Sequence, residues 1–530
     1  MSLQGGQAAY IADMMANPAS DPAAGPSEIS QFYAGCKIFV TGGSGFMGKL
    51  LIEKLLRSCP DIDKMYMLIR GKKGKTSETR FKEHFEDILY ERLKRERPGI
   101  LSKVVMIEGD VSLLNLGLSA ENREILRDSN IIFHGAATVR FDEKLRQAVN
   151  INIRGTKQML LFAKEMPNLK AFVHISTAFS QCVVKFIEEK FYAAPIDSDK
   201  LLTVTEILDD AVLERMTPVL MGKWPNTYAF TKAVAEDSVR QYSKVLPVCV
   251  VRPSIVIATS KEPITGWINN LYGPTGVVFG AGVGLLRSLH CNKDCIADII
   301  PADYVINNIV VAAWDIATSK SINPNSVDTL LTEEIDEPPI YNCVSSCTKP
   351  ITWGQFMKLN EIHGIAVPSC MVMWYYCFTL NKQQWVHNIY IVLLHYLPAL
   401  IIDTLAFLTG RKPMLFGAYK KIHKFSGVIS YFSTQQWKFE NNAVLRLWDK
   451  LNPADRIKFD FNLESLDWNN YFYHHVRGLR VYLIKDPLDT LEKGKAKYFK
   501  LKIAHYTLFT IVWILVFWAF VSFLRFLRFW

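Results

Sequence analysis

Short apolar runs rich in β-branched and aromatic residues recur along the first two-thirds of the chain, at Lys37–Thr41, Met65–Ile69, Val104–Ile107, Asn130–Phe133, Ala171–Ile175, Val248–Val251 and Ile340–Val344. Each reads as a strand, and helical stretches separate most of them, so the strands are expected to lie parallel in a doubly wound α/β sheet of Rossmann type. The first run leads through Thr41-Gly-Gly-Ser-Gly-Phe-Met-Gly48 into Lys49-Leu-Leu-Ile-Glu-Lys-Leu-Leu56, which predicts a strand, a turn and a helix. Two longer apolar stretches stand apart further on. Ile389–Leu408 is interrupted by His395, Pro398 and Asp403, and it reads as a re-entrant or surface-lying element more than a simple span. Tyr506–Leu524 carries no charge and has the roughly 20 residues that a bilayer core demands.

The turn after the first strand carries candidate chemistry. Its glycines follow G-x-x-G-x-x-G, a spacing that lets the backbone turn tightly and approach a pyrophosphate while the helix start offers free N–H groups to the phosphates. Thr41, Gly42, Gly43, Ser44, Gly45, Phe46, Met47 and Gly48 are therefore candidate dinucleotide contacts. The end of the second strand is where such a fold selects its cofactor, by an acid for a free ribose hydroxyl or a base for a 2′-phosphate. Arg70 stands there, followed by Lys72, Lys73 and Lys75, which favours NADP(H) over NAD(H).

Further along, Asn226-Thr-Tyr-Ala-Phe-Thr-Lys232 places Tyr228 and Lys232 on one helix face. A phenol titrates near ~10 in water, and a neighbouring ammonium is expected to lower that value and make it a proton donor.

Taken together, Val40-Thr-Gly-Gly-Ser-Gly-Phe-Met-Gly48, Leu68-Ile-Arg70, Gly109-Asp-Val111, His134-Gly-Ala-Ala-Thr-Val-Arg-Phe-Asp142, Asn152-Ile-Arg-Gly-Thr156, His174-Ile-Ser-Thr-Ala178, the Tyr228/Lys232 pair and Val251-Arg-Pro-Ser-Ile255 resemble the extended short-chain dehydrogenases. Within that group the chain looks most similar to the alcohol-forming fatty acyl-CoA reductases of insect type. The resemblance implies that Asp110 and Val111 flank the adenine, that Ala136 and Ala137 line the channel beneath the nicotinamide ribose, and that Pro253, Ser254 and Ile255 meet the carboxamide. It also implies that Thr177, with Ser176 as substitute, supplies a third catalytic hydroxyl beside Tyr228 and Lys232. NADPH would serve twice, reducing a long-chain acyl-CoA to an aldehyde and then to a primary alcohol. A membrane-bound NADP-dependent sterol or ketone dehydrogenase-isomerase uses the same Tyr/Lys pair and stays open at this point, as does an inactive cofactor-binding scaffold.

Composition narrows the rest. The chain has 530 residues, 49% of them hydrophobic, enough for two domains. Its formal charge of +10 comes without zinc-finger spacing or a stacking-aromatic signature, so polyanionic ligands and an anionic membrane surface are expected in place of nucleic acid. Ten cysteines include two C-x-x-x-C pairs, 291/295 and 343/347, which read as free thiols more than as a metal site. His395 and Asp403 lack the H-x4-D spacing of an acyltransferase dyad.

The expected division is a flexible leader at 1–30, an NADP-binding reductase domain at 31–345, a helical substrate and membrane-associated domain at 346–485, and a basic stem with transmembrane anchor at 486–530. Lysines at 493, 495, 497, 500 and 502 precede the apolar tail, against Arg525 and Arg528 after it, so the catalytic body is expected to face the cytosol from the endoplasmic reticulum or the peroxisome. Acyl chain length, the choice of organelle and oligomeric state, with a homodimer among the options, are not legible at this level.

Overall fold

In a computed structural model, residues 25–72, 74–319 and 337–528 are described. Lys73, most of the expected leader (1–24) and the greater part of the acidic loop between 325 and 338 lie outside them. Seven strands form one parallel sheet: β1 (Lys37–Thr41), β2 (Lys64–Ile69), β3 (Val104–Glu108), β4 (Ile131–His134), β5 (Ala171–Ile175), β6 (Val248–Pro253) and β7 (Ile340–Cys343). Their spatial order is β7-β6-β5-β4-β1-β2-β3. The seven apolar runs are these seven strands, within a residue or two at either end.

Side chains alternate between the two faces of the sheet, and both faces are covered. Ile38, Val40, Met65, Met67, Ile131 and Phe133 enter one core; Phe39, Tyr66, Leu68, Ile132 and Phe172 enter the other. Each aliphatic side chain fully buried this way contributes about 1.5–3 kcal/mol relative to exposure. The sequence order reverses between β1 and β4, and a crevice opens there beyond the strand ends.

Helix α1 (Phe46–Ser58) follows the glycine turn and packs against a buried helix, α2 (Ala302–Ser319). A short helix at Glu28–Tyr33 begins inside the stretch assigned to the leader; Ser27 caps it, and Ser27 Oγ also donates to Asp455 Oδ1 at 2.6 Å. Downstream of residue 345 the chain is largely helical yet pairs twice with strands that precede residue 345. Thr379–Asn381 pairs with Ser288–His290, and Lys438–Phe439 pairs with Phe186–Ile187.

Among the described residues two helices are long and apolar enough to cross a membrane. Gln384–Leu408 is continuous but widens into a π-turn at Val392–Tyr396, directly before Pro398, whose ring denies the helix an N–H. Its polar residues have local partners. His395 Nε2 accepts from the Arg287 backbone N–H at 2.9 Å, and Asp403 accepts from the N–H groups of Met414, Leu415 and Phe416, so it caps the next helix, Leu415–Ser433. The other helix, Leu491–Arg528, leaves its apolar side chains exposed.

Candidate active site

The glycine turn is shaped by contacts that a larger side chain would break. Gly42 has φ +76°, and a Cβ there would lie 2.6 Å from the Gly135 carbonyl carbon; a Cβ on Gly48 would lie 2.3 Å from the Gly42 oxygen. Gly45 caps α1, so that helix starts with its N–H groups at the crevice. Thr41 Oγ1 bonds His134 Nδ1 at 2.8 Å and accepts from Ala136 N at 3.3 Å, which ties the Ala136–Ala137 segment to the turn.

At the end of β2, Arg70 Nη1 donates to Asp110 Oδ2 at 2.7 Å, and Asp110 also accepts from Ser112 N and Oγ. Burial works against the Asp110 carboxylate, but Arg70 and Ser112 outweigh it and hold its pKa below the usual value. A second guanidinium joins the first: Arg80 donates to the Arg70 carbonyl and, at 3.3 Å, to Ser44 Oγ. Burial, and then the Arg70 charge, lower the Arg80 pKa.

The helix α3 (Thr227–Tyr242) carries Tyr228 and Lys232. Asn226 caps it, accepting from Ala229 N at 2.8 Å. Tyr228 lies in the cleft wall beneath Phe141, the two rings 5.7 Å apart and inclined by 22°. Lys232 is buried, and its Nζ donates to the Ile175 carbonyl at 2.7 Å. The expected lowering of the phenol pKa does not appear. Burial pushes Tyr228 up to about 12, the Glu236 charge adds to the rise, and only a hydrogen bond with Thr177 opposes it. Burial also brings Lys232 down to about 8, with Glu236 opposing. The phenol is therefore held as a full acid, which is the form a proton donor needs.

Thr177 and Ser176, adjacent at the end of β5, have separate surroundings. Thr177 Oγ1 faces Tyr228 and lies 3.4 Å from the Pro253 carbonyl. Ser176 Oγ donates to Glu236 Oε1 at 2.5 Å, in a buried network completed by Ser180 and by Arg252, whose Nη2 reaches Glu236 Oε2 at 2.7 Å. Pro253, Ser254 and Ile255 border the same cavity, with the Ser254 and Ile255 N–H groups bonded to the Cys343 and Asp298 carbonyls. That cavity holds about 1300 Å³, above the ~300–1,000 Å³ of an ordinary ligand pocket. Its walls run from the glycine turn, past Thr177 and Tyr228, to a lobe of Leu289, Trp353, Phe356, Met357 and Leu380.

Two family models, each described as male sterility protein, match this chain, one over residues 40–309 and the other over residues 394–486. The chain is 40% identical over 494 residues to fatty acyl-CoA reductase wat of Drosophila melanogaster, covering 93% of each protein. It is 36% identical over 505 residues to fatty acyl-CoA reductase 1 of Homo sapiens, covering 94% of this chain and 95% of that one. The chain belongs to the fatty acyl-CoA reductases. Its fold is also that of the reductase domain of a non-ribosomal peptide synthetase from Mycobacterium tuberculosis, at 16% identity and a TM-score of 0.53 over 90% of this chain and 97% of that one.

In this fatty acyl-CoA reductase the nucleotide turn and the reductase relatives together mark a site for a nicotinamide cofactor, and the sterol or ketone alternative is set aside. Several residues of the reductase site escaped the sequence reading. Arg80 sits too far from the Arg70 motif to belong to it by spacing. Phe141 lies inside the His134–Asp142 phrase, where neither its type nor its spacing points to the ring stacking on Tyr228. The wall helix Leu415–Ser433 sends Lys421, Lys424, Phe425, Val428, Ile429 and Phe432 to the cavity, a stripe at helical spacing that the stronger apolar signal of 389–408 overshadowed.

Proposed function

We infer that the enzyme reduces a long-chain acyl-CoA to the primary alcohol in two rounds, through an aldehyde that stays in the cavity, with NADPH as the cofactor. The observation that carries this reading is one continuous cavity of about 1300 Å³ that joins the glycine turn, the Tyr228–Thr177 pair and an apolar lobe suited to an acyl chain.

When bound, NADPH supplies the hydride in each round. Tyr228 donates its proton, and Thr177 a second hydrogen bond, to the oxygen that gains charge as the carbonyl carbon is reduced. In the first round the resulting hemithioacetal collapses to the aldehyde and releases coenzyme A as the thiol; in the second, the proton from Tyr228 completes the alcohol. Lys232, one turn away and bonded to the Ile175 carbonyl, would steady the phenol after proton loss and reach the ribose of the bound cofactor. Arg70 and Arg80, two guanidinium groups beside Ser44 with Asp110 as partner to one of them, suit a 2′-phosphate and favour NADPH over NADH.

The exposed apolar helix Leu491–Arg528 serves as a membrane anchor, with the basic residues before it keeping the catalytic body on the cytosolic side of the endoplasmic reticulum or peroxisome. Hexadecanoyl-CoA and NADPH given to the purified full-length enzyme test the reaction. Two NADPH consumed for each thiol released, with hexadecanol as product, is the expected result. One NADPH per thiol with free aldehyde accumulating would overturn the alcohol-forming reading.

A further inference from the structure

The cavity-facing stripe of the helix Leu415–Ser433 changes character along its length. Phe432, Ile429 and Phe425 line the cavity at one end, while Lys424 and Lys421 reach its mouth at the other and are open to solvent. At 1.5 Å per residue, roughly 16 Å of helix separates Lys421 from Phe432. The Phe432 ring lies 5.6 Å from Phe141, which stacks on Tyr228, so the apolar end abuts the reacting position, while from the cationic end Lys424 reaches Asp142, the next residue after Phe141.

Arg140 stands across the mouth, 55% exposed, with Asp142 at 3.6 Å and Glu143 at 3.9 Å; Lys424 is 3.5 Å from Asp142. Among the described residues no carboxylate comes within ion-pair distance of Lys421. Three cations thus face two carboxylates, and one of the cations has no anionic partner. On the cofactor reading above, the glycine turn with Arg70 and Arg80 would meet the phosphates of the nicotinamide cofactor, which leaves this cationic rim for a different polyanion.

We propose that Lys421 and Lys424, with Arg140 opposite, form the subsite for the phosphate groups of the coenzyme A portion of the substrate, a role that rests on the acyl-CoA reading above. With the thioester carbonyl at Tyr228 and the acyl chain in the apolar lobe, the pantetheine arm leaves past Phe141, and its terminal phosphates meet the rim. Ammonium-to-phosphate hydrogen bonds at this distance from the chemistry strengthen binding of the thioester without acting on the later aldehyde, which carries no phosphate.

The two half-reactions supply the test. Wild type and a Lys421→Glu/Lys424→Glu variant, both full length in neutral detergent, are compared on hexadecanoyl-CoA, hexadecanoyl-pantetheine and hexadecanal with NADPH. The expected result is a KM for hexadecanoyl-CoA raised by about tenfold or more in the variant, with KM for hexadecanoyl-pantetheine and hexadecanal unchanged. Lys421→Arg/Lys424→Arg should restore the KM.

Equal KM values for hexadecanoyl-CoA in both enzymes would overturn the subsite alone, and so would a rise shared by all three substrates, which marks lost helix packing. An effect that appears only when anionic lipid is added would assign the lysines to headgroup phosphates and overturn it as well. A wild type that reduces neither thioester would remove the acyl-CoA reading and this subsite with it.

Discussion

Ser176 and Thr177 both border the cavity, but Ser176 Oγ is joined to the buried Glu236 Oε1 across 2.5 Å, while Thr177 turns its hydroxyl to Tyr228. Two adjacent hydroxyls therefore have different work. Thr177→Val should lower kcat by about 10²–10³, the usual loss for one donor to a developing oxyanion. Ser176→Ala should leave kcat nearly intact and cost about 1–3 kcal/mol of stability through the disturbed Glu236–Arg252 network. Steady-state kinetics paired with thermal melts separate the two; a Ser176→Ala enzyme with the larger kcat loss would reverse the assignment.

Tyr228→Phe keeps the ring under Phe141 and removes only the hydroxyl, so reduction should disappear while NADPH affinity survives. The pH profile carries a second signature. Lys232 titrates near 8, below its ordinary value, so the ammonium is present below pH 8 and is lost as pH rises through it. Tyr228 stays protonated up to about 12 and adds no limb in this range. The value of kcat/KM should fall above pH 8, and Lys232→Met should give a low, flat profile. A descending limb that persists in that variant would assign it to another group.

Arg80 donates to Ser44 and to the Arg70 carbonyl, and on the proposed reading it would meet a 2′-phosphate. Arg80→Ala should weaken NADPH binding by about 1.5–3 kcal/mol, roughly 10- to 150-fold, and leave NADH binding unchanged. Titration calorimetry with both nucleotides measures the difference, and equal losses for the two would rule out a phosphate contact.

Met357, on the helix Trp353–Ala366, borders the apolar lobe. Each methylene buried there is worth about 0.8 kcal/mol, so affinity should climb roughly fourfold per carbon until the lobe is full. Met357→Trp should move that break to shorter chains, with dodecanoyl-CoA still reduced and octadecanoyl-CoA lost. An acyl-CoA series under saturating NADPH reads the break directly, and an unmoved break would place the chain elsewhere.

What could be read along the chain is what neighbouring residues decide among themselves. A buried parallel strand needs an unbroken apolar run, a nucleotide turn needs glycines at fixed spacing, and a phenol and an amine four residues apart share a helix face whatever surrounds them. These set the sheet, the turn and the Tyr228–Lys232 pair. Other features needed groups distant in sequence to meet. Glu236 and Arg252 claim Ser176 and leave Thr177 to the cleft; burial, which no local pattern reports, raises Tyr228 and lowers Lys232. Asp403, an interruption in an apolar run, is in the fold the cap of the helix that follows, and that helix is held as the cavity wall by partners distant in sequence, Phe432 on Phe141 and Tyr431 on the Cys182 carbonyl among them. Packing and desolvation act through space, so their outcome belongs to the tertiary structure.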